Sequence, residues 1–444
     1  MKGGDLPKIE SPPNRTLKYV AKQASKPSGN FRDAPDGRQG GKVRHRMPSL
    51  LYALQLGLLS NQPTLRDVEA MTTALGRWGR SLIPSRVSDT TLDAAARSLE
   101  PEYLRGKLVQ QVREFYRSKS LRPVGLPFGV AVIDGKNLAT LDHDADGTAH
   151  ARSSENKKWQ RSGDSTYYLM PAVRATLTSA ESKPCIYQEA IPPGRGESTQ
   201  CSAFVDALHV AYGRSGMFEV LDLDAGFTSL ANADHIDNLG YSYVFGVKGN
   251  QAELFAEAQT LLTALAGQTE PEAMCPWERR NGKRIRRSLW RTSEMQGFEN
   301  SVGTWSHLRQ TWLVRQDTEG PTGEIETEDR YFVTSLPWNR LKPREILALV
   351  RNHWGVENDT FNSLDLQWRE DDAPWCTRGR AIWGLGLLRL MAYNVAQLLR
   401  RRRLRTKDER GRWHTPMSWR QLFKTIERAL DGVFVSVGEV SAGA

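Results

Sequence analysis

The sequence predicts a mixed α/β protein with a helical N-terminal domain and a small β-rich insertion in its core. Helical periodicity dominates residues 46–122. Short strand-like runs alternate with helical stretches over residues 123–270 and resume over residues 329–405. Basic, Trp-bearing strand-like segments fill the interval 271–328. Strands that alternate with helices favour a sheet with helices packed on it, which is the basis of the fold class.

Size and composition indicate a soluble globular protein. The chain has 444 residues, 39% hydrophobic and 25% charged, which is enough for two or three domains. No run approaches the roughly 20 apolar residues of a membrane span, and no apolar segment of a signal peptide follows Lys2. The four cysteines are scattered without a CxxC pair, so we expect a reducing cytoplasm and neither a disulfide framework nor structural zinc.

The net charge of +10 favours a polyanionic partner, with nucleic acid as the leading candidate. A basic soluble protein without such a partner is the equal alternative on charge alone, because charge bears on association and not on fold.

The N-terminal region divides into an arm and a helical domain. Residues 1–45 are rich in Lys, Arg, Gly and Pro, which predicts a flexible basic arm. From Pro48 a leucine-rich pattern predicts a buried helix, and Thr64 followed by Asp67 predicts a capped second helix. Two further amphipathic helices run to Tyr116.

The first part of the core contains strands and then alternating helices and strands. An apolar run ends at Asp134, and Gly135 after it is typical of a turn. Two strand-like runs with no helix between them favour an antiparallel meander. The later elements predicted in order are strands at 166–175 and 184–191, a helix at 203–212, a strand at 218–224, a helix at 229–239, a strand at 241–247 and a helix at 251–265.

The rest of the chain is predicted as an insertion followed by helices. The dipeptide Asn281-Gly282 indicates a hairpin within the β-rich insertion. A strand at 330–334 resumes the sheet, and long helices follow at 343–364 and 381–403. Residues 406–444 are predicted as one more helix and a Gly/Ser/Ala-rich tail.

Three acidic residues are candidates for one site. Asp134 and Asp224 each end a predicted strand, and Glu357 lies on the long helix. Strand-end carboxylates meet at one edge of a sheet, and hard oxygen ligands suit Mg²⁺. Two such ions about 4 Å apart activate a water or 3′-hydroxyl in phosphodiester chemistry. The alternative is three unrelated surface or capping acids.

Four blocks of the sequence, in this order, resemble successive blocks of DDE transposases of the IS4 superfamily. They are Ile133-Asp-Gly-Lys136, Asp224-Ala-Gly-Phe227, residues 243–251 and Arg351-Asn-His-Trp-Gly-Val-Glu-Asn358. The resemblance is closest to the ISAs1-like branch with its H-repeat-associated N-terminal region. It implies an RNase H-like catalytic core and DNA transposition with two Mg²⁺ ions, for which Mn²⁺ can substitute.

The resemblance also implies roles and partners. Asp134, Asp224 and Glu357 match the two aspartates and the glutamate that bind the metal and catalyse the reaction. Asp222 is a rival for the second position or a supporting neighbour of Asp224. The implied partner is double-stranded DNA, both element ends and target, bound by a homodimer in a synaptic complex without any membrane. The implied location is the bacterial cytoplasm, at the nucleoid.

Several other side chains are candidate DNA contacts. Lys248 and Asn250 follow a strand, where they suit DNA phosphates or an ordinary polar turn equally well. His353 lies four residues before Glu357, which puts both on one helix face, with Arg351 close behind. DNA contacts by Arg351 and His353 and a simple surface helix are equal alternatives.

The basic run at 279–287 lies in the insertion near two tryptophans. Arg286 and Arg287 are predicted to contact DNA, and stacking of an unpaired base on Trp290 or Trp312 would contribute about 1–3 kcal/mol. Ordinary packing of the tryptophans is the preferred interpretation, because the sequence does not show which one is exposed.

One departure from the family pattern supports a second hypothesis. Phe361-Asn362 stands where the family usually has His-Trp, so a catalytically inactive or domesticated DNA-binding relic is the alternative function. A nuclease without strand transfer is a third hypothesis.

Overall fold

The structure, a computed structural model, describes residues 11–38, 43–153, 166–280, 282–370, 375–407, 411, 413–414 and 417–432. Its α-helices in chain order are α1 (Pro12–Ala24), α2 (Met47–Leu59), α3 (Leu65–Ala74), α4 (Arg77–Leu82), α5 (Asp89–Arg97), α6 (Pro101–Arg117), α7 (Glu197–Tyr212), α8 (Leu230–Asn238), α9 (Ala252–Gln268), α10 (Pro343–Gly355), α11 (Asn362–Trp368), α12 (Gly379–Leu398) and α13 (Trp419–Leu430).

The strands complete a mixed α/β protein, as the sequence predicts. In chain order they are β1 (Val130–Leu141), β2 (His150–Ser153), β3 (Thr166–Leu177), β4 (Cys185–Ala190), β5 (Val220–Leu223), β6 (Ser242–Val247), β7 (Ala273–Met274), β8 (Glu278–Arg280), β9 (Lys283–Thr292), β10 (Glu299–Asn300), β11 (Gly303–Thr304), β12 (Gln310–Glu319), β13 (Ile325–Thr334), β14 (Thr406–Lys407) and β15 (Trp413–His414).

The chain forms two units, and the second, residues 121–136 and 172–361, is built on a mixed sheet. Its strand order is β3-β1-β5-β6-β13-β12-β9-β7, with β4 on β3 and β8 on β9. The pairs β1–β5 and β5–β6 are parallel, and β13 continues antiparallel on β6. Strands buried on both faces need apolar residues on both, which the run Val130–Ile133 supplies.

Helix α10 covers this sheet. Pro343 begins it, at a position where the missing N–H costs nothing, and its apolar face joins one core cluster with residues of β1, β5, β6 and β12. The sequence predicts one helix over 343–364. The structure instead ends α10 at Gly355, continues as a π-helix over Val356–Phe361 and resumes as α11.

The predicted β-rich insertion at 271–328 corresponds to strands that prolong the same sheet. The antiparallel strands β9, β12 and β13, here called the extension, are ten residues each and join the parallel strands through β13 and β6. Residue 281 of the predicted hairpin lies outside the described residues, whereas Gly282 has the left-handed φ of 79° that favours glycine.

The first unit, residues 1–120, 137–171 and 362–444, is mainly helical. Helices α2 to α6 occupy the predicted N-terminal domain, and Thr64 and Asp67 form the predicted capping box of α3. The sequence predicts a flexible arm up to residue 45, whereas residues 12–24 form helix α1, which packs on α13. The predicted tail after residue 432 lies outside the described residues.

Helix α12 forms the centre of this unit and packs against α2 and α6. All of its residues except Arg380 are buried. In the described part of the chain one helical stretch, Gly379–Arg403, is long and apolar enough to cross a membrane, but its apolar window is completely buried inside the protein. The predicted helix at 381–403 is α12 followed by a π-helical end at Leu399–Arg403.

Candidate active site

Asp134 and Asp224 are brought side by side by the parallel pairing of β1 and β5. Ile133 lies opposite Leu223 in this register, so the next residue on each strand is one of the two aspartates. Neighbouring strands are about 4.8 Å apart, which puts the two carboxylates within direct electrostatic reach. Asp134 is partly buried, and the Asp224 side chain is 48% exposed.

Asp134 differs from the prediction in its local structure. The sequence predicts a strand that ends at Asp134 with a turn at Gly135, but β1 continues to Leu141. Gly135 lies inside the strand, and the absence of a Cβ there lets the carboxylate of Glu197 lie against the backbone next to Asp134.

Glu357 is the third carboxylate and lies in the π-helix Val356–Phe361. π-helical turns are rare and occur frequently at functional sites. Val356 and Phe361 pack against Val132 of β1, which holds this turn against the strand that carries Asp134. The side chain of Glu357 is exposed. We call Asp134, Asp224 and Glu357 the carboxylate edge.

The charge of Asp134 depends on its neighbours at the carboxylate edge. Burial raises the pKa of Asp134, the nearby His353 lowers it, and repulsion from Glu357 and Asp224 raises it again, with a result of about 7. About half of Asp134 is therefore protonated at neutral pH, where an ordinary aspartate is almost fully ionised. A cation at this edge would shift that balance, because opposite charge favours the ionised carboxylate.

Asp222 is separated in role from Asp224, although the two are only two residues apart. Asp222 is 1% exposed, and its Oδ1 lies 3.0 Å from Nδ1 of His353 on α10. Burial alone would lower the pKa of His353, but the neighbouring carboxylates of Asp222, Asp134 and Asp224 raise it to about 9. His353 is therefore a buried imidazolium at neutral pH, paired with Asp222.

Glu197 is an acidic residue that the sequence reasoning missed. It begins α7, and its carboxylate lies against Gly135, next to Asp134. Burial and the charge of Asp224 raise the pKa of Glu197, so it belongs electrostatically to the same edge. The only sequence signal is the segment Gly196-Glu-Ser-Thr199, which is typical of a helix start; the predicted helix begins later, at residue 203.

The two predicted DNA contacts after β6 differ in their surroundings. Nζ of Lys248 lies 3.9 Å from Oδ1 of Asp224, and this side chain is 73% exposed. Nδ2 of Asn250 donates to the carbonyl oxygen of Ala225 at 2.7 Å. Lys248 is thus a cation at the carboxylate edge that is open to solvent, whereas Asn250 stabilises the turn that follows Asp224.

The predicted arginine contacts are engaged in intramolecular pairs. Nη1 of Arg351 lies 2.8 Å from Oε1 of Glu278, and Nη2 of Arg286 lies 2.9 Å from Oδ2 of Asp317. Arg287 is 8% exposed and stacks on the ring of Trp354. DNA contact by Arg287 and by the equally enclosed His353 stays a prediction that this conformation does not favour.

The tryptophans of the extension pack in the core, as the preferred interpretation expects. Trp290 and Trp312 are 6% and 0% exposed, and Nε1 of Trp312 donates to Oε1 of Gln310 at 3.1 Å. In this conformation neither ring is available to an unpaired base.

The side chains of the carboxylate edge are of the type that binds a divalent cation, but they are not already arranged around one metal position. Asp134, Asp224 and Glu357 offer hard oxygen donors, and their mutual repulsion is what a cation would relieve. Within the described ranges, however, no group of three His, Cys, Asp or Glu side chains already has the arrangement of a metal site.

The chain matches one family model of known proteins. The family model described as Transposase DDE domain matches residues 127–395, which is more than half of the chain and contains all three members of the carboxylate edge. A search of curated proteins found no match. Adjacent strand-end aspartates, a helix-borne glutamate and this match agree with one another, and the chain belongs to the DDE transposase domain family.

Proposed function

We propose that this chain is an active DNA transposase of the IS4 superfamily, closest to its ISAs1-like branch. It would cut DNA strands at the ends of an insertion element and join them to a target. The observation that carries the proposal is the juxtaposition of Asp134 and Asp224 in register on adjacent strands, with Glu357 close enough to raise the pKa of Asp134.

Asp134, Asp224 and Glu357 would hold two Mg²⁺ ions, or Mn²⁺ in their place. Such ions supply activation of a water or 3′-hydroxyl and stabilisation of the leaving oxygen of a phosphodiester. The raised pKa of Asp134 supports this role, because binding a cation would favour the ionised form that repulsion disfavours. No protein nucleophile is needed for this chemistry.

The surrounding side chains would prepare the edge for DNA. His353 pairs with Asp222 of β5 and so leaves Asp224, the residue directly after β5, as the carboxylate that faces solvent. Lys248 is positioned to exchange its contact with Asp224 for a DNA phosphate near the scissile bond.

The finer fold assignment and the partners are part of the same proposal. Strand order β4-β3-β1-β5-β6 supports an RNase H-like core, with the strands from β7 to β12 inserted between the second aspartate and the glutamate. The partners would be element-end and target DNA, bound by a homodimer at the nucleoid in the cytoplasm. The net charge of +10 supports a nucleic-acid partner.

The test is cleavage of labelled element-end DNA, with products sized on a denaturing gel. Asp134→Ala, Asp224→Ala and Glu357→Ala should each lower Mg²⁺-dependent cleavage at least about 10³-fold, the equivalent of about 4 kcal/mol of transition-state stabilisation. Binding of the same DNA should persist. Joining of the ends to a target plasmid distinguishes a transposase from a nuclease that lacks strand transfer.

Asp206→Ala is the matched control. Asp206 is an acid of α7 whose side chain is 56% exposed and pairs with His235. This variant should cleave at the wild-type rate. Full cleavage by the Asp134→Ala protein would overturn the assignment of the site.

A catalytically inactive DNA-binding relic of the same fold is the alternative. The described residues contain no prearranged group of metal ligands, which favours it. The Phe361 departure does not, since Phe361 is buried against β1 and Val356 and fits its surroundings. End-specific binding by wild-type protein without cleavage in Mg²⁺ or Mn²⁺ would establish the relic.

A further inference from the structure

Asp359 is a carboxylate close to the carboxylate edge that has two cationic neighbours. It lies in the π-helix two residues after Glu357, and its side chain is 58% exposed. Its Oδ2 lies 3.1 Å from Nζ of Lys183, and its Oδ1 lies 3.8 Å from Nη2 of Arg280. Each carboxylate oxygen thus faces a different cation.

The two cations come from separate elements of the second unit. Lys183 lies in the tight turn between β3 and β4, where its φ is 41° and its N–H donates to the carbonyl oxygen of Ala180. Its Nζ lies so close to Gly355, the last residue of α10, that a Cβ there would come within 2.8 Å. The absence of a side chain at position 355 makes room for this ammonium group beside the π-helix.

Arg280 belongs to β8, at the tip of the β8–β9 hairpin, directly opposite Lys283. Arg279 and Arg280 are exposed, as are Lys283 and Arg284 on the other strand. The tip therefore presents positive charge to solvent, and through Arg280 this charge reaches the helix that carries Glu357.

An exposed carboxylate between two cations is easily replaced. Ion pairs between exposed side chains contribute about 0–1 kcal/mol each. A DNA phosphate carries a comparable charge, and arginine and lysine bind it through the same donors. Binding of a DNA phosphate also releases counterions from the DNA, a gain in free energy that the contact with Asp359 lacks.

We propose that Lys183 and Arg280 form a binding site for one backbone phosphate of the DNA strand beside the carboxylate edge, and that Asp359 occupies this site as a competing anion in the DNA-free protein. This rests on the proposed function, because it takes DNA as the substrate. It adds two specific contacts and a built-in competitor that lowers affinity for DNA.

The proposal requires effects of opposite sign. Lys183→Gln and Arg280→Gln should each weaken DNA binding about 3- to 10-fold and make the negative slope of log affinity against log salt shallower by about 1. Asp359→Asn should strengthen binding by about 3- to 10-fold, since the phosphate no longer displaces a carboxylate. In protein that carries both Lys183→Gln and Arg280→Gln, adding Asp359→Asn should strengthen DNA binding much less than it does in the wild-type protein.

The experiment is fluorescence anisotropy of a labelled 30-base-pair duplex with the full chain, in EDTA, over a series of salt concentrations. Asp206→Asn is the matched control, because its exposure of 56% is close to the 58% of Asp359 and it removes the same charge from α7, where Asp206 pairs with His235. It should change affinity less than twofold. Thermal unfolding of every variant shows whether it is folded.

Each result decides between the possibilities. Unchanged or weaker binding by folded Asp359→Asn protein would overturn the proposal, as would an equal gain in the background that lacks both cations, because the gain would then be general electrostatics. If wild-type protein binds no duplex, the proposed function itself fails. If the wild-type protein binds the duplex and Asp359→Asn does not increase the affinity, only the proposal of the phosphate site fails.

Discussion

Acidic side chains have different surroundings in two regions of one sheet. In the extension, acids lie directly opposite arginines on the neighbouring strand: Asp317 faces Arg286, and Asp329 faces Arg315. The distance from Nε of Arg315 to Oδ1 of Asp329 is 2.7 Å. Cross-strand pairs of opposite charge stabilise a sheet, and here they neutralise the charges locally.

At the carboxylate edge the acids lie beside each other. Asp134 has Asp224 and Glu357 as neighbours and is disfavoured in its ionised form, while the nearest buried cation, His353, is hydrogen-bonded to Asp222. The fold thus gives Asp317, Asp329 and Asp222 close cationic partners, whereas Asp134 lies beside two acids and Asp224 faces the exposed Lys248 at 3.9 Å. Repulsion between neighbouring carboxylates is expected at functional sites, because selection for stability alone would remove it.

The largest effect is expected at the compensated pair Asp222–His353. His353 has a pKa of about 9 in the folded protein and about 6.5 in an unfolded chain, so its charge stabilises fully below pH 6.5 and this contribution is lost as pH rises through 9. Burial raises the pKa of Asp222, so its ionised carboxylate carries a cost that the imidazolium offsets only while it keeps its proton. Asp222→Asn should lower the free energy of unfolding by about 3 kcal/mol at pH 6 and much less at pH 9.5. Urea unfolding at both pH values measures this.

An equal loss at both pH values would show that Asp222 stabilises by packing and not by its charge. His353→Gln serves as the complementary variant, because it leaves the carboxylate buried without its cation. It should also be destabilised at pH 6, by a similar amount.

Replacing an aspartate by asparagine is expected to change the free energy of unfolding in opposite directions at the carboxylate edge and in the extension. Asp134 keeps its proton up to pH 7 when folded but loses it near 3.9 when unfolded, so its contribution to stability falls as pH rises through that window. Asp134→Asn should therefore stabilise the metal-free protein by about 2 kcal/mol at pH 8 and have no effect at pH 4. Urea unfolding in EDTA checks this.

Asp317→Asn is the counterpart in the extension. It removes a carboxylate that faces Arg286 and should destabilise the protein at pH 8, by about 1 kcal/mol. If both variants shift stability in the same direction, the contrast between a compensated and an uncompensated region is wrong.

Much of this contrast was not accessible from the sequence. Periodicity predicted the strand at 241–247 and the helix at 251–265 within a few residues of β6 and α9, because local apolar patterns decide such elements. Family blocks led to Asp134, Asp224 and Glu357. Asp222 and His353, by contrast, are 131 residues apart in the sequence, and no local pattern predicts the contact between them.

The π-helix and Gly135 show why the remaining details failed. A helical pattern assumes 3.6 residues per turn, so it predicted one helix through Glu357 where the structure has a wider turn packed on Val132. The dipeptide Asp134-Gly135 is typical of a turn in the sequence. The contact between Gly135 and Glu197 depends on tertiary structure, so no local pattern indicates it. The helix at 12–24 was missed because its composition resembles a disordered arm, and its packing on α13 comes from the far end of the chain.

The smallest effect concerns Glu197, whose carboxylate adjoins the edge without lying on either parallel strand. Mg²⁺ should raise the unfolding temperature of the wild-type protein, since a ligand bound at ten times its dissociation constant adds about 1.4 kcal/mol. The gain should vanish in Asp134→Asn protein. In Glu197→Gln protein it should persist with about tenfold weaker Mg²⁺ affinity, as for groups that support metal ligands. Asp317→Asn should keep the wild-type affinity, whereas an unchanged affinity for Glu197→Gln would mean that Glu197 only packs against Gly135 and takes no part in binding the metal.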